Sequence, residues 1–279
     1  MMIELIDELK NIKLAIFDLD GVVYRGISLI PNMEKNIKVL KENSIKVVYN
    51  SNNSTITRQM FVDRLKNLSI PSKITDFYTS AFITAAEITK IKENSKIYVI
   101  GEIGIREELK AFGHDVLRNV KDFNEIDFVI VGLDMKINYK KIATAQRCIL
   151  EGKAQFYATN PDTTYPWADG IWPGAGVMVN AVQTCTGKTP VKIFGKPEPH
   201  GLKLILDDTK ISPKNTWMFG DRLDTDILAG KRAGIMTACV LTGVTSREMI
   251  NSIEKGDGLE NEDLRPDLVI NSLDNIFKT

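Results

Sequence analysis

Two carboxylates, Asp18 and Asp20, follow the apolar run "KLAIF", and Gly21 stands directly behind them. Paired acids in such a place form either a solvated turn or a division of nucleophilic and acid–base work. What decides is the company they keep at the ends of the other apolar runs. Ser51, Asn52 and Asn53 follow "IKVVYN", Lys196 follows "VKIFG", and Asp221, Asp224 and Asp226 follow "TWMFG". Taken singly, each has an ordinary reading: Ser and Asn cap helices, acids suit a helix start, and a lysine before proline suits a turn. Taken together they share one chemistry. Converging carboxylates repel unless a hard cation sits among them, and magnesium takes one or two carboxylates with phosphate and water. Lys196 can neutralise a phosphoryl oxygen, while Ser51 and the backbone N–H groups of Asn52 and Asn53 bond the others. An aspartate nucleophile splits phosphoryl transfer into two displacements through an acyl phosphate. A second carboxylic acid two residues on can protonate the leaving oxygen and then activate water. Gly21 permits the tight turn that brings it into line.

These residues need elements to carry them. Residues 13–17, 45–50, 96–101, 128–133, 155–159, 191–195, 216–220, 237–242 and 267–270 read as strands. Several are rich in Val and Ile without alternation, as parallel strands covered on both faces are. Between them lie helical patterns, such as Phe61, Leu65 and Leu68 in "TRQMFVDRLKNL". The alternation predicts a doubly wound α/β fold, in which ligands bind at the carboxyl ends of the strands. About 140 residues separate "SNNST" from "GKP", far more than the roughly 30 of one βαβ unit, and three strand candidates fall within 81–181 alone. A polar loop over 254–267 comes near the end.

Composition narrows the partners. The chain has 279 residues, with 36 Lys plus Arg against 36 Asp plus Glu, so nothing points to nucleic acid or an anionic membrane. No apolar run approaches the roughly 18 residues of a membrane span. The opening "MMIELIDELKNIK" reads as a short amphipathic helix, not a signal peptide. Cys148, Cys185 and Cys239 are widely spaced among apolar residues and read as buried, reduced thiols of a cytoplasmic protein. His114 and His200 are the only histidines and lie far apart, which argues against a His-based metal site or a Ser–His triad.

The motifs "DLDGVVYRG", "NSNNST", "YVIGEIGI", "VGLD", "ATNPDTTYP", "PGAGVMVNAV", "GKPEP", "GDRLDTDILAG" and "LTGVTSRE" run nearly end to end. In that order the chain resembles a haloacid dehalogenase superfamily phosphatase. The resemblance is to the branch of NagD-type, p-nitrophenyl- and phosphoglycolate phosphatases. It implies a Rossmann-like parallel-sheet core with an inserted α/β cap domain. Asp18 would be the nucleophile and Asp20 the general acid/base. Magnesium would be held by Asp18, the Asp20 carbonyl and Asp221, with Asp226 holding a metal-bound water. Ser51, Asn52, Asn53 and Lys196 would bind the phosphoryl group. Ser51 replaces the threonine of many relatives and keeps the hydroxyl.

The expected division is core at 1–80, cap at 81–181 and core again at 182–279. In the cap, "NPDTTYPW" is the candidate selectivity loop, with Asp162 and Tyr165 its substrate-binding residues. Two glycine loops are weighed as decoys. "YVIGEIGI" lacks the third glycine of a dinucleotide fingerprint, and "PGAGV" suits an anion less well than it suits steering the chain. The resulting expectation is a Mg-dependent phosphomonoesterase for a small phosphorylated metabolite; dimers are common among similar proteins. Its rivals are a phosphotransferase using the same intermediate, a receiver-like signalling module and a catalytically silent phosphate-binding regulator.

Overall fold

The fold is described from a computed structural model, which describes residues 4–167, 170–255 and 262–278. Chain contacts divide it into two compact units. The first comprises the described parts of Met1–Ser51, Val62–Tyr78 and Lys196–Thr279; the second comprises Asn52–Phe61 and Thr79–Gly195.

In the first unit, β1 (Leu14–Phe17) leads into a small hairpin of β2 (Tyr24–Arg25) and β3 (Ser28–Leu29), and then into β4 (Lys46–Ser51) and β5 (Phe77–Thr79). The second unit contributes β6 (Lys96–Ile100), β7 (Asp115–Leu117), β8 (Phe128–Val131), β9 (Gln155–Ala158), β10 (Thr164–Trp167), β11 (Gly170–Pro173) and β12 (Lys192–Ile193). The chain returns to the first unit with β13 (Thr216–Gly220), β14 (Met236–Val240) and β15 (Leu268–Ile270).

The core sheet runs β15-β14-β13-β1-β4-β5. β1 is parallel to both neighbours, with Phe17 level with Phe219 and Tyr49. All four β1 residues are buried, which is why an unbroken apolar run suits this position and an alternating one would not. Phe17 and Phe219 stack at 4.9 Å between ring centroids. Helix α1 (Met33–Glu42) covers the sheet with Met33, Ile37 and Leu40 on its buried side, the spacing of an apolar helical stripe.

The second unit has its own sheet, ordered β12-β9-β8-β6-β7, and a two-stranded antiparallel hairpin, β10-β11. Where three strands were expected within 81–181, the described residues there hold six, β6 to β11, of which β10 and β11 form the hairpin. Helices α3 (Ser80–Ile91), α4 (Ile103–Ala111), α5 (Tyr139–Leu150) and α6 (Ala175–Thr186) belong to this unit. Its core gathers Val129, Val131, Phe156, Ala158, Cys148 and Val182.

Some expectations require correction. "VKIFG" does not end in the core sheet: β12 pairs with β9 in the second unit's sheet, and Lys196 is the first residue of the return to the first unit. The N-terminal segment is not an amphipathic helix: Leu5 bridges to Phe277 and a single 3-10 turn spans Asp7–Leu9, while residues 1–3 lie outside the described residues. Cys148 and Cys239 are buried as expected, but Cys185 is only half-buried. Of the polar loop over 254–267, residues 256–261 lie outside the described residues. Among the described residues, no helix is long and apolar enough to cross a membrane.

Candidate active site

From β1 the core chain winds to β4 and β5 on one side and returns to β13, β14 and β15 on the other. The winding direction reverses between β1 and β13, and a doubly wound sheet opens a ligand crevice at the carboxyl ends there. Asp18 directly follows β1 and Asp221 directly follows β13.

Lys196 enters this place from its own segment. Its ammonium lies 2.7 Å from Asp18 Oδ1, 2.5 Å from Asp226 Oδ1 and 2.9 Å from the Asn50 carbonyl oxygen. Lys196 is 3% exposed and Asp226 1%, with Asp18 half-buried beside them, so salt and water screen these charges less than they would at the surface. The Asp226 Oδ2 atom accepts the N–H groups of Asp221 and Arg222 at 3.2 and 3.1 Å. A widened π-type turn over Leu223–Ile227 makes this possible, since a wide turn presents its side chains out of the ordinary helical register. Gly220 is needed beside it because a Cβ there would strike the Asp226 carboxyl.

Burial drives the Asp18 carboxyl well above the ordinary range; Lys196 pulls it down, while Asp226 and Asp221 push it further up. Burial also lifts Asp221 to about 7, with Asp226 adding to the shift and the Val244 N–H opposing it. Burial works against charge on Lys196, yet Asp18 and Asp226 hold its ammonium above the usual lysine range.

The excess of negative charge tests the fit of a cation. Ligand atoms of Asp18, Asp221 and Asp226 lie within 4.8 Å of one another. All are carboxylate oxygens, the donor type that hard divalent ions take. Asp18 engages Lys196 through Oδ1 and Asp221 engages the Val244 N–H at 2.7 Å through Oδ2, so among the described residues no hydrogen bond is made to the other oxygen of either. Asp226, by contrast, has both oxygens occupied. The set therefore fits a magnesium-type ion, with Asp18 and Asp221 better placed as direct ligands than Asp226.

Asp20 belongs to the same unit. Burial raises its carboxyl to about 6, against the pull of Arg64 and Lys196. Gly21, with φ of +86°, turns the chain here in the left-handed region that favours glycine. A Cβ at that position would also strike the Asp221 carboxyl. Ser51, the last residue of β4, is 4% exposed.

Asn52, Asn53, Asp162 and Tyr165 all fall in the second unit, where they pair. Asn52 Nδ2 donates to Asp162 Oδ1 at 3.0 Å, and Asn53 Nδ2 donates to the Tyr165 hydroxyl at 3.3 Å. Asp162 Oδ2 accepts from Asn160 Nδ2 at 3.0 Å. The Asn53 Oδ1 atom accepts the Thr55 N–H and hydroxyl at 2.8 and 2.6 Å. Both decoy glycine loops are spent on this network. The N–H groups of Gly104 and Ile105, opening α4, donate to the carbonyls of Thr55 and Ser54. At α6, the N–H groups of Gly174 and Gly176 donate to the carbonyls of Thr163 and Asp162. A Cβ on Gly174 or Gly176 would collide with the same loop backbone.

Three contributors escaped the reading of the sequence. Val244 and Gly243 form the loop against Asp221, and a Cβ at Gly243 would strike that carboxylate; the "LTG" following a strand was the available signal. Arg64 sits near Asp20 from the end of α2 (Arg58–Asn67), with no local signal beyond its charge. Asn160 carried a signal in "ATNPD", since it directly follows the strand candidate over 155–159.

The chain is similar to known proteins over most of its length. A family model described as "Haloacid dehalogenase-like hydrolase" matches residues 15–115, and one described as "HAD-hydrolase-like" matches residues 193–276. An acid sugar phosphatase of Staphylococcus haemolyticus is 37% identical, over 86% of this chain and 89% of that one. The structure of a p-nitrophenyl phosphatase from Archaeoglobus fulgidus is similar with a TM-score of 0.85 at 35% identity, covering 94% of this chain and 97% of that one. A glycerol phosphate phosphatase from Mycobacterium tuberculosis, solved in complex with magnesium, has a TM-score of 0.86 at 26% identity, covering 99% of this chain and 79% of that one.

Proposed function

The chain belongs to the haloacid dehalogenase-like hydrolases, in their NagD-like phosphatase branch, and we propose that it hydrolyses small phosphomonoesters through an aspartyl phosphate on Asp18, with magnesium. The observation that carries this reading is the desolvated contact of Lys196 with both Asp18 and Asp226 beside Asp221. A buried ammonium among three acids is a costly arrangement for stability alone. It suits a site where a dianionic group arrives and needs both a cation and a nucleophile.

In this reading Lys196 and Ser51 bind the phosphoryl oxygens, together with backbone N–H groups of Asn52 and Asn53. A free oxygen of Asp18 attacks phosphorus, the bond from phosphorus to the leaving oxygen breaks, and Asp20 gives that oxygen its proton. Asp20, now a carboxylate, takes a proton from water as the water attacks phosphorus. The bond to Asp18 breaks and phosphate leaves. A magnesium ion on Asp18, Asp221 and the Asp20 carbonyl would neutralise charge on the phosphoryl oxygens. Asp226 then serves by fixing Lys196 and the Asp221 turn, reaching the ion only through water.

The acid sugar, p-nitrophenyl and glycerol phosphate phosphatases share a phosphoryl group and differ in the leaving half. We therefore assign substrate choice to the inserted segment, set at 81–181, with Asp162 and Tyr165 carrying part of it. The test is phosphate release from p-nitrophenyl phosphate and a panel of phosphorylated metabolites. Activity is expected with Mg²⁺, lost in excess EDTA and in Asp18→Asn. Full activity in EDTA overturns the metal assignment, and near-normal turnover by Asp18→Asn overturns the nucleophile.

A further inference from the structure

Among the described residues, no donor is bonded to the Asp20 carboxylate. An acid that must exchange a proton with a substrate oxygen gains from such freedom, but its direction is then set by its backbone alone. That backbone is a turn and a short hairpin. Gly21 N–H donates to the Tyr24 carbonyl at 2.8 Å, the Val23 and Tyr24 N–H groups converge on the Leu19 carbonyl at 2.9 and 3.1 Å, and Asp20 bridges to Tyr24. The hairpin turns at Gly26, with φ of +58°, and its tip is open: Ile27 is 89% exposed. Core packing therefore holds the turn at Tyr24, which is fully buried, and lets go of it within three residues.

Two arginines hold what packing does not. On one side Arg25 donates to the Thr242 carbonyl, and the Thr242 hydroxyl donates to the Gly21 carbonyl at 2.7 Å. On the other, the Arg64 guanidinium lies 3.9 Å from the centroid of the Tyr24 ring and donates through Nη2 to the Gly26 carbonyl. A flat, delocalised cation can stack on an aromatic face and donate along its edge at once, which a lysine cannot. Arg64 thus binds the hairpin at two points, one on each side of Arg25.

We propose that Arg64 is a positioning residue for the proton-transfer step: it clamps the hairpin over Tyr24 and Gly26 and thereby aims Asp20 at the leaving oxygen. The proposal rests on the reading of Asp20 as the general acid. It predicts a selective defect. A leaving group that departs easily as an anion needs little help from an acid, whereas a basic one needs most of it. Loss of the clamp should therefore spare p-nitrophenyl phosphate and damage esters of more basic leaving oxygens.

The experiment measures kcat/KM for p-nitrophenyl, phenyl and benzyl phosphate in the wild type, Arg64→Met, Arg64→Lys and Asp20→Asn, each loaded with Mg²⁺ and checked for an unchanged unfolding temperature. Arg64→Met should lose about tenfold or more on benzyl phosphate and less than about threefold on p-nitrophenyl phosphate. Arg64→Lys, which keeps a donor and a charge without the flat face, should fall between. An equal loss on all three esters, or no loss on any, overturns the proposal. The control separates the two layers of the argument. If Asp20→Asn itself shows no extra loss on the basic leaving groups, the reading of Asp20 fails. If it does and Arg64→Met does not, only the role of Arg64 falls.

Discussion

Lys196 Nζ stands 2.7 Å from Asp18 Oδ1, at a position where Lys196 is 3% exposed. The ammonium therefore orients the Asp18 carboxyl and opposes the rise in pKa that burial imposes on it, and in the proposed reaction the same cation meets the phosphoryl oxygens. Replacing Lys196 by Met removes the partner of a buried carboxylate, Asp226, and of a half-buried one, Asp18, at once. Breaking a buried pair from one side leaves an uncompensated charge and destabilises by about 3–5 kcal/mol. Denaturant unfolding of Lys196→Met in EDTA should show a loss of that order together with loss of turnover. A variant as stable as the wild type would show that the triad contributes nothing to holding the strand ends.

Gly243→Ala probes the proposed metal site without replacing a ligand. A Cβ at this position would strike the Asp221 carboxylate, whose Oδ2 also accepts the Val244 N–H. Outer-shell partners of a metal ligand are worth roughly 10–100-fold in metal affinity. The Mg²⁺ concentration giving half-maximal activity should accordingly rise by at least about tenfold, with activity recovering at saturating metal. An unchanged requirement would mean that Asp221 is not a ligand.

The pairing of Asp162 with Asn52, and of Tyr165 with Asn53, gives the selectivity assignment a definite form. Asp162→Ala and Tyr165→Ala should each alter kcat/KM unequally across substrates, and p-nitrophenyl phosphate should suffer less than the best metabolite. The quantity to measure is the ratio of the two kcat/KM values. If it moves by less than about threefold in both variants, roughly 0.7 kcal/mol of differential transition-state binding, the loop does not select.

A pH effect is expected far from the chemistry. Buried His114 accepts the Ser95 N–H at Nδ1 (3.2 Å). The Thr89 hydroxyl is already donated to the Ala85 carbonyl, so Nε2, 2.9 Å from that hydroxyl oxygen, donates to it. Burial lowers the pKa of His114 below its ordinary value of 6.5, so the folded chain binds this proton less readily than the unfolded one. The sign follows from linkage: the contribution to stability is fully present above the unfolded pKa and is lost as pH falls through the folded one. The unfolding temperature should decline below about pH 6.5, and His114→Gln should flatten that decline. An unaltered slope would place the titration elsewhere.

Much of the core sheet and its strand-end acids could be read directly from the chain, because β1 and β13 are unbroken apolar runs and Asp18 and Asp221 directly follow them. Lys196 was read as the end of a core strand, whereas it reaches Asp18 after a strand of the other sheet. "VKIFG" has the same apolar texture as the core strands, and texture does not say which sheet a strand joins. The β10-β11 hairpin was hidden by Pro166 and Pro173, which argue against a strand by sequence yet are accommodated in an isolated pair with open edges. β5 and β7, at three residues each, are too short to show a period. Arg64 could not be singled out at all: its partners are a ring and a carbonyl some forty residues earlier, and only the fold brings them together.

The central claim is the covalent intermediate on Asp18, and Asp20→Asn is the variant in which to look for it. p-Nitrophenolate needs little protonation to leave, so the first displacement should proceed, whereas the second lacks the base that activates water. Mixing Asp20→Asn with p-nitrophenyl phosphate and Mg²⁺ should release one equivalent of nitrophenolate per active site in a burst. Mass analysis of the acid-quenched, digested protein should then find one phosphoryl group on the peptide that contains Asp18. Nitrophenolate and phosphate appearing in step from the first turnover, or a phosphoryl group on a peptide without Asp18, would contradict the account.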